Sequence, residues 1–220
     1  MSEWPAAVLW DLDGTLIDTE PYWQQAEQRL AEIYGGEWRP EHSAHIVGMA
    51  LLDAADYLRT ALGLAAGREE LCDHLVADVV ECLRRHVPWR PGARELLAQL
   101  TDFGLPCGLV TMSYQRIVDP VVETLPDDTF AVVVTGDDVQ RGKPDPEPYR
   151  TAAARLGLPA FRCLAIEDSI NGARSAMAAG CPTVVVPDRV VMTPGEGRVI
   201  RDTLVGMDLP ALRALQGCFG

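Results

Sequence analysis

The sequence predicts an α/β fold, a doubly wound parallel sheet with an inserted all-helical domain. Three observations predict it. Five short apolar runs, at residues 7–10, 107–112, 131–135, 163–166 and 183–186, read as buried strands. Helical patterns of crossover length lie between the later runs, and each stops at a glycine: 94–103 before Gly104, 146–156 before Gly157 and 170–179 before Gly180. From about residue 21 to residue 88, apolar residues recur only at helical spacing, with no strand-like run among them.

The first strand, Ala7-Val8-Leu9-Trp10, runs into Asp11-Leu12-Asp13-Gly14-Thr15. Two carboxylates therefore sit at the carboxyl end of a core strand, where open α/β sheets bind ligands. Side chains alternate along a strand, but a turn at Gly14 can swing Asp13 back toward Asp11. Carboxylates that close repel each other unless a cation or a shared proton intervenes. The chain then enters the helical insert. Pro21 suits a first helical position, and Tyr22, Ala26, Leu30 and Ile33 form a stripe that Gly35-Gly36 ends. Leu51, Ala55, Leu58 and Leu62 form a second stripe, and Leu71, Leu75, Val79 and Leu83 a third. Pro88-Trp89-Arg90-Pro91-Gly92 reads as the return linker, so residues 1–17 and 90–220 form the α/β domain and residues 18–89 the insert. Tethered beside the carboxylate loop, the insert could close over the strand ends as a lid.

Three further features fall at strand ends. Thr111 closes the second strand, and Ser113 could begin a helix whose free amides favour an anion. Lys143 lies in the rigid segment Gly142-Lys143-Pro144-Asp145-Pro146. Glu167-Asp168-Ser169 puts two acids after the fourth strand, where Asp and Ser could equally be ordinary helix caps.

Composition narrows the classes. With 220 residues and 48% apolar residues, the chain can build one large core or a core plus an insert. A formal charge of −13 repels nucleic acid and anionic membranes, and any phosphate site needs local cations of its own. No apolar stretch approaches the ~20 residues of a membrane span, and Met-Ser-Glu-Trp-Pro does not read as a secretory signal. Cys72, Cys82, Cys107, Cys163, Cys181 and Cys218 include no Cys-x-x-Cys pair and read as reduced, packed thiols in a cytoplasmic protein.

Taken together, Asp-x-Asp-Gly-Thr, a strand-ending Thr, Lys-Pro and Glu-Asp-Ser, each after a core strand, resemble the haloacid dehalogenase superfamily. The resemblance covers essentially the whole chain, because the insert matches that family's helical cap. Asp18-Thr19-Glu20-Pro21, Arg90-Pro91-Gly92-Ala93 and Glu167-Asp168-Ser169-Ile170-Asn171-Gly172 reinforce it. The subgroup it resembles is that of the sugar-phosphate phosphatases and β-phosphoglucomutases. The resemblance implies a Rossmann-like core and a phosphatase acting through an aspartyl-phosphate. Asp11 would be the nucleophile and Asp13 the general acid and base. Thr111, Lys143 and the backbone amide of Met112 would hold the phosphoryl oxygens. Asp11, Asp168 and the backbone carbonyl of Asp13 would bind Mg²⁺, with Glu167 supporting the ion directly or through water. The all-oxygen donor set suits Mg²⁺ better than Zn²⁺. The partner implied is a small phosphorylated metabolite, with no nucleic acid and no membrane, and the protein would be a monomer or weak dimer. Glu20, Trp23, Met49 and Leu51 are the cap candidates for substrate specificity.

Two departures bear on the reaction. β-Phosphoglucomutases carry a His where this chain has Trp23. They also carry an Arg in a Gly-Val-Ser-Arg segment that here reads Gly48-Met49-Ala50-Leu51. Leu51 cannot pair with a distal phosphate. The sequence therefore favours hydrolysis over the mutase alternative. Retention of both Asp11 and Asp13 argues against a catalytically idle phosphate-binding module, and Asp13 argues against dehalogenation.

Overall fold

The computed structural model describes residues 4–46, 49, 51–188, 192–193 and 195–219. The chain divides into two compact units, Met1–Asp18 with Pro88–Gly220, and Thr19–Val87.

The first unit is a six-stranded parallel sheet of order β3-β2-β1-β4-β5-β6. Its strands are β1 (Ala7–Trp10), β2 (Cys107–Val110), β3 (Val132–Val134), β4 (Cys163–Glu167), β5 (Thr183–Val185) and β6 (Arg198–Ile200). This is the doubly wound arrangement in which β1 and β4 flank the point where the winding reverses, and ligands collect at their carboxyl ends. Those two strands and β2 are fully buried, as strands covered on both faces must be. One layer of the core joins Leu9, Val110, Val134, Ala165 and Ala176 around the buried ring of Tyr149.

Five strands fall on the predicted runs: β1 matches its run, β2, β3 and β5 are shorter than theirs, and β4 extends one residue further, to Glu167. The run 107–112 stops at Val110, which leaves Thr111 and Met112 in the loop. β6 was not predicted, because it has only three residues and alternates half-buried and buried positions. The crossover helices are α5 (Ala93–Asp102), α6 (Gln115–Val122), α7 (Glu147–Arg155) and α8 (Ile170–Ala179), with α9 (Leu209–Ala214) after β6. Gly180 closes α8 in the left-handed conformation, as predicted. The segments that leave toward residue 19 and return from residue 87 are tied together within this unit. The Asp18 amide donates to the Pro88 carbonyl at 2.9 Å, and the Arg90 amide to the Leu16 carbonyl at 2.8 Å.

The second unit is helical throughout its described residues: α1 (Glu20–Tyr34), α2 (Pro40–Ile46), α3 (Leu51–Ala61) and α4 (Arg68–Arg85). α4 packs on both α1 and α3 through Leu71, Leu75, Val79 and Leu83, the predicted third stripe. Ile33 is exposed, which corrects its place in the first stripe. α2 buries only Ser43 and has no apolar stripe to announce it. Of the six thiols, five are buried, whereas Cys218 is exposed and is not the packed thiol expected.

Candidate active site

The site is assembled at the carboxyl ends of β1, β2 and β4. Asp11 follows β1, and its amide donates to the Ile166 carbonyl of β4 at 3.0 Å, so its position is set by the sheet. Gly14 turns the chain with φ of 86°, and a Cβ there would overlap the Asp168 carboxylate. Only glycine allows both the turn and this approach of the two loops.

Lys143 is the cation at the centre. Its Nζ donates to Asp11 Oδ1 at 2.6 Å, to Glu167 Oε1 at 2.6 Å and to the Val110 carbonyl at 2.9 Å. Burial alone would lower its pKa, but the charges of Asp11 and Glu167 outweigh that and hold it above the ordinary lysine value. The Lys143 amide donates to the Met112 thioether at 3.3 Å, and a Cβ on Gly142 would lie 2.7 Å from that sulfur. Met112 therefore braces the lysine loop.

Glu167 is fully buried. Besides Lys143, its Oε1 accepts from the Tyr149 hydroxyl at 2.7 Å. Its Oε2 accepts from the Asp168 amide and the Ser169 hydroxyl, both at 3.3 Å. The carboxylate lies against the first turn of α8, where a Cβ on Gly172 would overlap it. Burial and then the Glu167 charge push the Tyr149 hydroxyl well above 10, so it remains a donor.

One oxygen of each of Asp11, Glu167 and Asp168 lies within 4.8 Å of the others, the one such acidic group among the described residues. Asp11 Oδ2 is buried without a hydrogen-bond partner. Burial, then the charge of Glu167, pushes Asp11 up to about 7 against the pull of Lys143. Burial, then Asp11 and Glu167, pushes Asp168 up to about 8. Three carboxylates facing one ammonium, with one bare buried oxygen among them, form a donor set that fits a hard divalent cation.

Asp13 adds its charge to that acting on Asp11 and is bonded from the β2 side. Its Oδ2 accepts from the Ser113 hydroxyl at 2.7 Å and the Thr111 hydroxyl at 3.3 Å. Thr111 Oγ1 in turn accepts from the Ser113 amide at 3.0 Å. α6 begins two residues later than Ser113, and its Gln115 amide is taken by Asp137 at 2.8 Å. Beside the loop, Arg90 pairs with Asp188 at 2.5 Å. A cavity of about 140 Å³ is lined by Thr15, Arg90, Pro91, Val186, Asp202, Thr203 and Leu204.

The predicted residues Asp11, Asp13, Thr111, Met112, Lys143, Glu167 and Asp168 thus come together. Tyr149 and Ser113 are the additions. In the sequence Tyr149 reads as one more apolar position of a helix, and Ser113 as the start of one. In the helical unit, Glu20 opens α1 and accepts from Gln24 at 3.0 Å, and Trp23 is half-buried on the same helix. Met49 is exposed and Leu51 opens α3, whereas Gly48 and Ala50 lie outside the described residues.

Comparison with known proteins adds the wider context. The family model described as haloacid dehalogenase-like hydrolase matches residues 8–186. The chain is 35% identical over 188 residues to a phosphoglycolate phosphatase of Yersinia pestis, covering 80% of this chain and 78% of that one. It is 31% identical over 186 residues to hexitol phosphatase B of Escherichia coli K12, covering 82% and 83%. Among solved structures, CbbY from Rhodobacter sphaeroides in complex with phosphate superposes with a TM-score of 0.81 at 25% identity, covering 94% of this chain and 98% of that one. The β-phosphoglucomutase of Clostridium difficile shares the fold with a TM-score of 0.79 at 18% identity, covering 97% and 98%.

Proposed function

The chain belongs to the haloacid dehalogenase-like hydrolase family, and we propose that it is a Mg²⁺-dependent phosphatase acting on a small phosphate monoester. The substrate class is a sugar phosphate or related metabolite. The observation that carries this reading is the state of Asp11. One oxygen is held by Lys143 and the other is buried and bare, on a carboxylate that is grouped with those of Glu167 and Asp168.

In this reading Asp11 attacks phosphorus and the ester P–O bond breaks. Asp13, held by Ser113 and Thr111 on the β2 side, gives its proton to the leaving oxygen. Asp13 then takes a proton from water, and the resulting hydroxide attacks the aspartyl-phosphate. The bond between phosphorus and Asp11 breaks, releasing phosphate and restoring the carboxylate. Thr111, the Met112 amide and Lys143 hold the phosphoryl oxygens through these steps. Asp11, Asp168 and the Asp13 carbonyl would hold Mg²⁺, with Glu167 in support. Bound there, the ion would reduce the repulsion between an anionic nucleophile and an anionic ester.

Residues 18–89 act as the cap in this proposal, with Glu20, Trp23, Met49 and Leu51 as the residues that select substrate. Buried thiols outside any disulfide suit the reducing cytoplasm. Every group assigned to the chemistry comes from one chain, which suits a monomer or weak dimer. The test is phosphate release from p-nitrophenyl phosphate with and without Mg²⁺, followed by a panel of phosphorylated metabolites. No release from any of them with Mg²⁺ present would refute the proposal.

A further inference from the structure

We infer that Tyr149 is a positioning residue whose buried hydroxyl anchors the Glu167 carboxylate and, through it, the Lys143 ammonium against Asp11. The inference rests on the phosphatase reading and adds to it a residue outside the groups that touch substrate.

An ammonium has three N–H groups, and Lys143 commits them to Asp11, Glu167 and the Val110 carbonyl. A phosphoryl oxygen can accept from Lys143 only if one of these partners yields. Glu167 Oε1 is the partner with a second donor in place, the Tyr149 hydroxyl at 2.7 Å. When Lys143 turns an N–H toward the phosphoryl oxygen, Tyr149 keeps Oε1 bonded. Glu167 is fully buried, and a carboxylate stripped of its donors in such surroundings is costly.

The surroundings leave Glu167 little room to adjust. The Asp168 amide and the Ser169 hydroxyl hold its other oxygen. The absence of a side chain at Gly172 is what admits the carboxylate to the first turn of α8. Tyr149 is itself fixed in the core layer beneath the sheet, and its ring lies 5.2 Å from the Lys143 nitrogen. That distance is a cation–π contact between the same two residues. Phenylalanine would keep the ring, its packing and the cation–π contact, and would remove the hydroxyl alone.

The experiment is a double-mutant cycle on the full chain with p-nitrophenyl phosphate. Tyr149→Phe should lower kcat roughly ten- to hundredfold, the range for losing one hydrogen bond to a charged group. KM and the Mg²⁺ affinity measured by calorimetry should stay within about threefold, because neither is assigned to the hydroxyl. In a Glu167→Gln background the same change should cost less than about twofold, because its target has been altered. A kcat within about twofold of wild type would overturn the inference, as would an undiminished loss in the Glu167→Gln background. A fall in Mg²⁺ affinity that matches the fall in kcat would also overturn it, by moving Tyr149 into the metal site. Should Tyr149→Phe fail to fold, NMR of the wild-type protein with isotope-labelled tyrosine decides. A slowly exchanging Tyr149 hydroxyl proton supports the anchor, and its absence overturns it. Wild-type protein with no Mg²⁺-dependent phosphate release would refute the phosphatase reading alone. The hydroxyl resonance and the calorimetry would still test Tyr149.

Discussion

Each compact unit buries a glutamate, and the two are held differently. Glu167, in the sheet unit, faces a lysine and shares it with Asp11, while Asp168 crowds the same space. Glu27, on α1 of the helical unit, accepts from the Trp38 indole at 3.0 Å and from the Ser43 hydroxyl, both neutral donors. Burial raises the Glu27 pKa, partly offset by those two bonds. A lone carboxylate can meet burial by favouring its protonated form and keeping its neutral donors. Three carboxylates around one ammonium cannot all do so and remain chemically useful. The difference separates a polar group that completes a helix packing from a cluster whose charge is left for something outside the protein to balance.

The largest effect should come from the cluster. Asp11→Asn should lower turnover by roughly three orders of magnitude or more, since an amide is a poor nucleophile and a weak ligand for a hard cation. The fold should survive, because the amide oxygen can still accept from Lys143. Phosphate release by the purified variant measures the loss, and circular dichroism checks the fold. Turnover near the wild-type level would remove Asp11 from the nucleophile's role.

Much of this cluster was legible because it sits where buried strands end. Apolar runs locate β1, β2 and β4, and the polar residues that break them are Asp11, Thr111 and Glu167-Asp168. Lys143 was legible from its proline-bounded loop. What stayed hidden is what periodicity does not encode. Tyr149 belongs to an apolar helix face, and only its hydroxyl's direction makes it part of the network. β6 is too short, and its Arg198 too polar, to form an apolar run. α2 begins at Pro40 and buries one serine, so its role is polar, as the donor of Ser43 to Glu27.

The next effect concerns charge balance in the cluster. Asp11 at about 7 and Asp168 at about 8 bind protons more tightly folded than unfolded, where both titrate near 4. The unfolded chain therefore releases those protons first. The metal-free protein should lose stability as pH rises from about 4 to about 8 and level off above that. A divalent cation that displaces the protons should restore more stability at pH 8 than at pH 6. Thermal denaturation with EDTA and with Mg²⁺ at both values measures this. EDTA should also stop turnover, and Mg²⁺ should restore it. Equal stabilisation by Mg²⁺ at the two pH values would break the link between the cluster's protons and the metal.

A smaller and more specific effect tests the helical unit's part in the reaction. A mutase must grip a bisphosphate by both ends, and in the proposed reading Trp23 and Leu51 would replace the His and the Arg that the mutases use. Losing one charge-assisted contact of that kind costs on the order of 1.5–3 kcal/mol, roughly one to two decades in affinity. With β-glucose 1-phosphate and a trace of glucose 1,6-bisphosphate, phosphorus NMR should show net free phosphate and little glucose 6-phosphate. Glucose 6-phosphate accumulating faster than free phosphate would make the chain a mutase and assign the distal grip to another cation of the helical unit.

The smallest effect returns to Glu27 and sharpens the contrast with Glu167. Glutamine at position 27 keeps the shape and an acceptor oxygen for Trp38 and Ser43, and it cannot ionise. Because burial raises the Glu27 pKa above 4.5, ionisation works against the fold at pH values above that range. Glu27→Gln should therefore leave stability unchanged near pH 4 and raise it slightly at pH 8, by less than about 1 kcal/mol. Turnover and Mg²⁺ affinity should stay within about twofold of wild type, since Glu27 has neutral partners and no share in the acidic cluster. Glu167→Gln takes a carboxylate away from the lysine and should depress turnover at every pH. Thermal melts at the two pH values, together with steady-state kinetics of both variants, make the comparison. If Glu27→Gln lost turnover on the scale of Glu167→Gln, the charge buried in the helical unit would have to take part in the chemistry, and the distinction between the two buried glutamates would fail.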